Sequence, residues 1–201
     1  MRHMDKFTLG LNLPTDPRWA NIAEENIEEI LIDHAYCEQK AASSCISMIV
    51  NFPEFTDMVE TLAPVVAEEW SHFERVLEQL KKRGFKLSKP RKDEYVSALM
   101  KVEVKGGDRK HQVVEKLLIN ALIEARSCER FKQLHLAFSD QELKNFYYEL
   151  MISEAGHYRN FIDLAENYMP KEAVQARWQE LLVQEAEIIM KQLQPRPDRM
   201  H

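Results

Sequence analysis

Residues 68–73 read Glu-Glu-Trp-Ser-His-Phe and residues 153–158 read Ser-Glu-Ala-Gly-His-Tyr, and the two stretches share one spacing. Each contains a glutamate followed three residues later by a histidine: Glu69 with His72, and Glu154 with His157. Residues three apart lie on the same face of an α-helix, so each pair presents a carboxylate and an imidazole side by side. The rest of that face is apolar in both stretches, which predicts that the two pairs point into a helical core.

Each Glu-x-x-His pair follows another glutamate on an apolar helical face. Glu38 precedes Glu69 by 31 positions, and Glu124 precedes Glu154 by 30. Four buried carboxylates that face one another would repel strongly. Two divalent cations would balance their charge, because carboxylates can bridge or terminate a metal pair and each imidazole adds a nitrogen ligand. The repeated spacing therefore predicts a metal pair bound by Glu38, Glu69, His72, Glu124, Glu154 and His157.

Stretches with a period of 3.6 residues dominate the chain and predict long helices. We expect helices over about 19–50, 54–83 (with a kink or break near Pro64), 110–138 and 141–168, and a last helix from Pro170 that ends before Pro195. Together with the Glu and Glu-x-x-His ligand set, this order predicts an all-α fold. It is a ferritin-like four-helix bundle with a long connection between helices 2 and 3 and an additional C-terminal helix.

The length of 201 residues favours a single domain over 1–201. Within it we expect an extended N-terminal segment (1–18), a basic connection (84–110) with a short helix around 93–103, and a C-terminal tail (195–201). No apolar run reaches the roughly 18–20 residues that a membrane span needs. The N-terminus also lacks the apolar core of a signal peptide, so we expect a cytoplasmic protein that does not associate with membranes.

The three cysteines, Cys37, Cys45 and Cys128, are odd in number and lack Cys-x-x-Cys spacing. This argues against a disulfide framework, a thiolate zinc site and a rubredoxin-type iron centre. We expect them to be small buried thiols.

Several residues near the predicted ligands could compete with them or support them. Glu68 and Glu129 could replace Glu69 and Glu124, but Glu68 has no histidine three residues later and Glu129 breaks the repeated spacing. We expect both to face solvent or to contact a ligand. His34, one turn before Glu38, either holds that ligand or is a plain core histidine. Among the nearby tyrosines, which include Tyr147, packing is favoured over a radical role.

Residues 81–110 contain eleven Lys or Arg and four Asp or Glu, whereas the whole chain has a net charge of −6. One basic segment on an acidic protein indicates a local anionic partner such as RNA, held through its phosphates. A solvated loop that only maintains solubility explains the charge equally well. The candidate RNA contacts are Lys81, Lys82, Arg83, Lys86, Lys89, Arg91, Lys92, Lys105, Arg109 and Lys110.

Over essentially its whole length the sequence resembles the MiaE family of tRNA-(2-methylthio-N6-isopentenyladenosine) hydroxylases. The distinctive stretches are residues 33–42 (Asp-His-Ala-Tyr-Cys-Glu-Gln-Lys-Ala-Ala), 68–73, 123–131 (Ile-Glu-Ala-Arg-Ser-Cys-Glu-Arg-Phe) and 153–158. The resemblance implies a non-haem di-iron monooxygenase with two iron ions at the six positions above and dioxygen as co-substrate. It also implies an external electron donor or reductase, and a tRNA anticodon loop whose modified adenosine at position 37 is hydroxylated on the isopentenyl group.

Three other functions fit parts of the pattern. Iron oxidation or peroxide handling, as in ferritins and rubrerythrins, would use the same ligands but leaves the basic connection unexplained. Hydroxylation of a membrane quinone would need an exposed amphipathic helix. The last helix carries apolar residues from Trp178 to Ile189, which we expect to pack on the bundle instead. A helical RNA adaptor with a vestigial site would bind tRNA without iron.

Overall fold

The computed structural model describes residues 9–90 and 93–193, and over these ranges the secondary structure consists of seven α-helices. Their bounds are α1 (Pro17–Glu25), α2 (Ile27–Asn51), α3 (Thr56–Lys82), α4 (Glu94–Leu99), α5 (Arg109–Ala137), α6 (Gln141–Tyr168) and α7 (Lys171–Leu193). The predicted all-α class and ferritin-like helix order are confirmed. The candidate contacts Arg91 and Lys92, and the predicted tail 195–201, lie outside the described residues. The single-domain assignment stays a prediction.

The four long helices form two hairpins, α2 with α3 and α5 with α6, which pack into the bundle. Their apolar stripes build a core in two halves. One half includes Met48, Leu62 and Leu118, and the other includes Leu31 and Val76. On each long helix the residues of one half come before the predicted metal ligands in sequence, and the residues of the other half come after them. The ligands therefore form a polar layer between two apolar halves.

The start of the bundle differs from the prediction of one helix over about 19–50. The chain breaks at Asn26, whose backbone leaves the helical region (φ −129°, ψ 45°). Its side-chain amide donates a hydrogen bond to the Ile22 carbonyl (2.8 Å). Asparagine competes with the helix backbone for hydrogen bonds in this way, which explains the break. By contrast, α3 runs without interruption through Pro64.

Charged caps and a glycine fix the ends of the long helices. Asp108 caps α5 by accepting from the backbone N–H of His111 (2.9 Å), and Asp140 caps α6 by accepting from that of Glu142 (2.8 Å). After α3, Gly84 adopts the left-handed conformation (φ +76°) that ends a helix and that other residues disfavour. These caps fix where the ligand-bearing helices begin and end, and so help to hold the ligands level with one another.

The connection between α3 and α5 crosses the outside of the bundle, where α4 docks through the buried side chains of Tyr95 and Leu99. Helix α7 packs over the bundle through buried Trp178, Leu181 and Leu182, as expected of an additional C-terminal helix. Of the helices that the structure describes, none combines the length and the apolar character needed to span a bilayer.

Candidate metal centre

The six predicted ligands lie together in the polar layer, and each is at most 6% exposed. Helix α2 contributes Glu38, α3 contributes Glu69 and His72, α5 contributes Glu124, and α6 contributes Glu154 and His157. Each occupies a position on the inward stripe of its helix that an apolar residue would otherwise fill. The structure thus brings together the six side chains that the spacing of the sequence singled out, and their role as metal ligands stays a prediction.

The donor atoms form two groups that share Glu69 and Glu154, and the atoms of each group lie within 4.8 Å of one another. In the first group, His72 Nδ1 lies 3.5 Å from Glu38 Oε2 and 3.6 Å from Glu154 Oε1. In the second group, which also contains Glu124, His157 Nδ1 lies 2.7 Å from Glu69 Oε1 and 3.4 Å from Glu154 Oε2. This geometry suits two cations joined by two shared carboxylates, with one further glutamate and one histidine each.

Hydrogen bonding gives an independent test of that fit. Among the described residues, both carboxylate oxygens of Glu69 and of Glu154 are buried without a hydrogen bond, and so are Nδ1 of His72 and of His157. The 2.7 Å contact of His157 Nδ1 with Glu69 Oε1 is close but lacks hydrogen-bond geometry. Leaving one buried polar atom unsatisfied costs about 1–3 kcal/mol, so six such atoms in one place call for a ligand. Carboxylate oxygens with imidazole nitrogens suit Fe(II) and related divalent metals. The residues present therefore fit a metal pair.

The pKa shifts in the polar layer also fit a metal pair. Burial, reinforced by the charge of Glu154, raises the pKa of Glu38 and of Glu124 well above the ordinary value. Burial alone would lower the pKa of the two histidines, but the surrounding carboxylates raise it to about 10 for His72 and about 12 for His157. Without metal, the layer thus retains protons that bound cations would displace.

Two residues outside the set of six contact it and orient its members. His157 Nε2 lies 2.7 Å from Glu68 Oε2, although the Glu68 side chain is 58% exposed. A partner on Nε2 leaves Nδ1 free to act as the ligand atom. On α2, His34 Nε2 hydrogen-bonds to Glu38. Burial lowers the pKa of His34 to about 3, so its ring is neutral. His34 is therefore more than a packed core histidine.

The expectation that Glu129 faces solvent or contacts a ligand is wrong. Glu129 is 1% exposed and belongs to a buried network centred on Arg126, whose Nη1 lies 3.2 Å from Glu129 Oε2. Arg126 Nε lies 2.8 Å from Glu185 on α7, and the Tyr95 hydroxyl donates to the same carboxylate (3.2 Å). The sequence analysis missed this network. The sequence does contain a sign of this network, because Arg126 on α5 and Glu185 on α7 are charged residues on otherwise apolar helix faces.

The cysteines agree with the expectation in part. All three are free thiols, Cys45 and Cys128 are buried, and Cys37 is partly exposed. Tyr147 is fully buried and packs against the rings of His34, Phe131 and Phe146, in keeping with a packing role.

A cavity of about 180 Å³ lies between α2, α4 and α5 and reaches Glu38, Glu69, Glu124 and Glu154. Helix α4, which belongs to the connection between α3 and α5, covers the cavity. The apolar wall of the cavity includes Met48, Val96, Met100, Ile119 and Ile123. The cations that line it are Lys40, Lys116, Arg126 and Arg130, none of which is among the predicted RNA contacts.

The predicted basic segment does not form one patch. Arg83 at the end of α3 pairs with Asp140 at the start of α6 (2.5 Å), whereas Arg109 at the start of α5 pairs with Glu54 before α3 (2.6 Å). The two groups of cations thus lie at opposite ends of α3, roughly 40 Å apart for a helix of this length. Lys82 is also paired, with Glu142. The remaining described candidates are exposed: Lys81, Lys86, Lys89, Lys105 and Lys110.

Comparison with known proteins identifies relatives of the chain. The family model for tRNA-(MS2IO6A)-hydroxylase (MiaE) matches residues 3–201. A tRNA 2-(methylsulfanyl)-N(6)-isopentenyladenosine(37) hydroxylase from Pseudomonas putida is 39% identical, with 79% of this chain and 76% of the relative covered. A hydroxylase of the same name from Salmonella typhimurium is 27% identical, with 94% and 85% covered.

Among solved structures, one similar chain is protein 43 with aldehyde deformylating oxygenase activity from Synechococcus. The TM-score is 0.86 at 33% identity, with 94% of this chain and 91% of that chain covered.

Proposed function

Because the chain belongs to the MiaE family of tRNA hydroxylases, we propose that it hydroxylates the isopentenyl group of 2-methylthio-N6-isopentenyladenosine in tRNA. The observation that carries this proposal is the cavity. The cavity leads from the surface beneath α4 to four of the six predicted metal ligands, and most of its wall is apolar. Oxygen insertion into a prenyl chain requires a pocket for an apolar group beside a cluster of metal-binding side chains.

We propose that two iron ions occupy the centre. Glu38 and His72 would hold one, Glu124 and His157 the other, and Glu69 and Glu154 would be shared between them. When bound, such a metal pair supplies the electron transfer and open coordination positions that the reduction of dioxygen needs. The chain supplies the rest: four carboxylates that balance the charge of two divalent ions, and Glu68 and His34, which orient two of the ligands.

The overall reaction balances with an external electron donor. One oxygen atom of dioxygen enters an allylic C–H bond of the substrate. The other leaves as water with two protons and two electrons from the donor. The apolar wall, which includes Ile119 and Ile123, excludes water from the reacting carbon and positions the prenyl chain. Apolar cavities of about 150 Å³ hold a group the size of benzene, so about 180 Å³ accommodates the five carbons of the prenyl chain.

The adenine and sugar would then lie towards the mouth of the cavity, under the edge of α4. The substrate nucleotide stands in the anticodon loop, where bases are unstacked easily enough to enter a protein pocket. Exposed lysines at both ends of α3 are available to contact phosphates of the flanking stems, and a cytoplasmic location follows from a tRNA substrate. We further propose that residues 1–201 act as one catalytic domain.

Mass spectrometry of tRNA nucleosides tests the proposal. Iron-loaded protein would be incubated aerobically with prenylated tRNA and a chemical electron donor. We expect the prenylated adenosine to gain one oxygen with the wild type and with Glu60→Ala, an exposed position on α3, but not with Glu69→Ala. No product from wild-type protein of verified iron content, with dioxygen or with peroxide, would contradict the proposal and favour iron oxidation or peroxide handling.

A further inference from the structure

Four cationic side chains line the cavity, and three of them are already in ion pairs. Those pairs are Lys40 with Asp93 (3.1 Å), Lys116 with Glu103 (3.0 Å) and Arg126 with Glu185 (2.8 Å). Arg130 is the fourth. Within 9–90 and 93–193, no carboxylate forms an ion pair with its guanidinium. A cation that lines a substrate cavity without an acidic partner is available to an anionic group of the ligand.

Aromatic rings hold the Arg130 guanidinium in place instead of a carboxylate. Its central carbon lies 5.1 Å from the ring centroid of Tyr95 on α4 and 5.8 Å from that of Trp19 on α1. Contacts with ring faces restrict the side chain but do not use up its N–H donors, which remain directed for hydrogen bonding at the edge of the guanidinium plane. Arg130 is only partly buried, so a ligand in the cavity can reach it.

Arg130 lies farther along α5 than the predicted metal ligand Glu124, and both line the cavity. It follows Glu124 by six residues, which is about 9 Å along the helix axis. A nucleotide whose prenyl end lies beside Glu124 has its purine, sugar and phosphate successively farther from the metal centre. Glu124 and Arg130 line the same cavity, so a nucleotide whose prenyl end lies beside Glu124 can extend its sugar and phosphate towards the Arg130 guanidinium.

We propose that Arg130 binds a phosphate group of the substrate nucleotide and thereby sets how deeply the prenyl chain enters the cavity. This rests on the proposed tRNA hydroxylase function. Arginine suits the role because its planar fork can donate two parallel hydrogen bonds to phosphate oxygens. The alternative is that Arg130 only fastens α1 and α4 to α5 through its ring contacts.

The first test compares small substrates that differ only by a phosphate. Initial hydroxylation rates would be measured with the prenylated adenosine and with its 5′- and 3′-monophosphates. We expect the wild type to have a lower KM for at least one monophosphate than for the nucleoside. Arg130→Met should remove that preference with little change in kcat for the nucleoside, and Arg130→Lys should retain part of it. An equal preference in wild type and Arg130→Met would overturn the proposal, and because it is a ratio it does not depend on how much of the variant is folded.

The second test uses RNA binding and its salt dependence. Binding of a prenylated anticodon stem-loop would be followed by fluorescence anisotropy over a range of KCl concentrations. Arg130→Met should bind roughly ten- to a hundred-fold more weakly and show a salt slope smaller by about one. Arg159→Met is the matched control, since Arg159 is exposed on α6, and it should behave as wild type.

The outcomes separate this proposal from the function on which it rests. If the wild type hydroxylates and binds RNA but Arg130→Met shows the same affinity and slope, Arg130 has no phosphate contact. Weaker binding with an unchanged slope and a lowered melting temperature would assign Arg130 the fastening role and overturn the proposal. If the wild type neither binds nor hydroxylates the RNA, the proposed function fails as well.

Discussion

Replacing Glu68 by Ala should weaken one of the two metal positions and spare the other. Glu68 is mostly exposed, yet its Oε2 lies 2.7 Å from Nε2 of buried His157. When Nδ1 binds a metal, that contact keeps the remaining imidazole proton on Nε2, and Nδ1 faces Glu69 and Glu154. His157 belongs to only one of the two donor groups and His72 to the other, and the hydrogen bond of Glu68 is with His157.

The expected loss of metal affinity in Glu68→Ala follows from these contacts. Losing the partner of a metal-ligating histidine typically lowers metal affinity by about 10- to 100-fold, which is about 1.4–2.7 kcal/mol. The effect on folding should be much smaller, about 0–1 kcal/mol, because Glu68 itself is exposed to solvent. Metal binding and stability should therefore respond very differently to the same substitution.

Anaerobic titration with Fe(II) in competition with a chelator measures both binding steps. Wild type and Glu60→Ala, a control about two turns earlier on α3, should give two tight steps. Glu68→Ala should weaken one step by about 10- to 100-fold, and Glu68→Gln, which can still accept the hydrogen bond, should lie in between. Two unchanged steps in Glu68→Ala would refute the assignment of His157 Nδ1 as a ligand oriented by Glu68.

Three further predictions concern the rest of the molecule. Arg126→Met should lower the free energy of unfolding in urea by about 3–5 kcal/mol, because it leaves Glu185 and Glu129 buried without their shared partner, and adding Glu185→Met should restore part of the loss. Ile123→Trp should fill the cavity and abolish tRNA hydroxylation while iron content stays at the wild-type level; normal turnover would exclude the cavity as the substrate site. The metal-free protein should melt at a lower temperature at pH 8 than at pH 6 in calorimetry. The pKa values of Glu38 and Glu124 are raised, so the folded state holds protons there that the unfolded chain releases above about pH 4.5, and the stability of the metal-free protein falls as pH rises. Bound Fe(II) should weaken or reverse this trend. A metal-free protein that becomes more stable from pH 6 to pH 8 would contradict the prediction.

Much of the fold and the membership of the site could be predicted from local patterns. Glu69 and His72 share a helix face because of helical geometry alone, and the matching spacing around Glu154 identified the partner hairpin. Helix ends were predicted well where the signal is local, as at Gly84 and Asp140. The break at Asn26 was missed because the helical periodicity of the sequence continues on both sides of it, and only its side-chain bond to Ile22 shows its effect.

The rest depends on contacts between distant parts of the chain. The ion pair between Arg126 and Glu185 joins residues 59 positions apart, and nothing in either local sequence indicates the other. The charge of residues 81–110 suggested one basic surface, but the bundle places its two ends at opposite ends of α3. For the same reason Arg130 was not singled out, because its value as a free cation depends on which of its neighbours are already paired.

The central claim is that one buried layer holds two metal ions that share Glu69 and Glu154. Iron content per chain, measured after anaerobic loading and gel filtration, tests it most directly in the wild type, Glu154→Ala and His72→Ala. We predict two ions in the wild type, none or nearly none in Glu154→Ala because both positions lose a ligand, and one in His72→Ala. A wild type that binds one ion or none, or a Glu154→Ala variant that retains two, would contradict the claim.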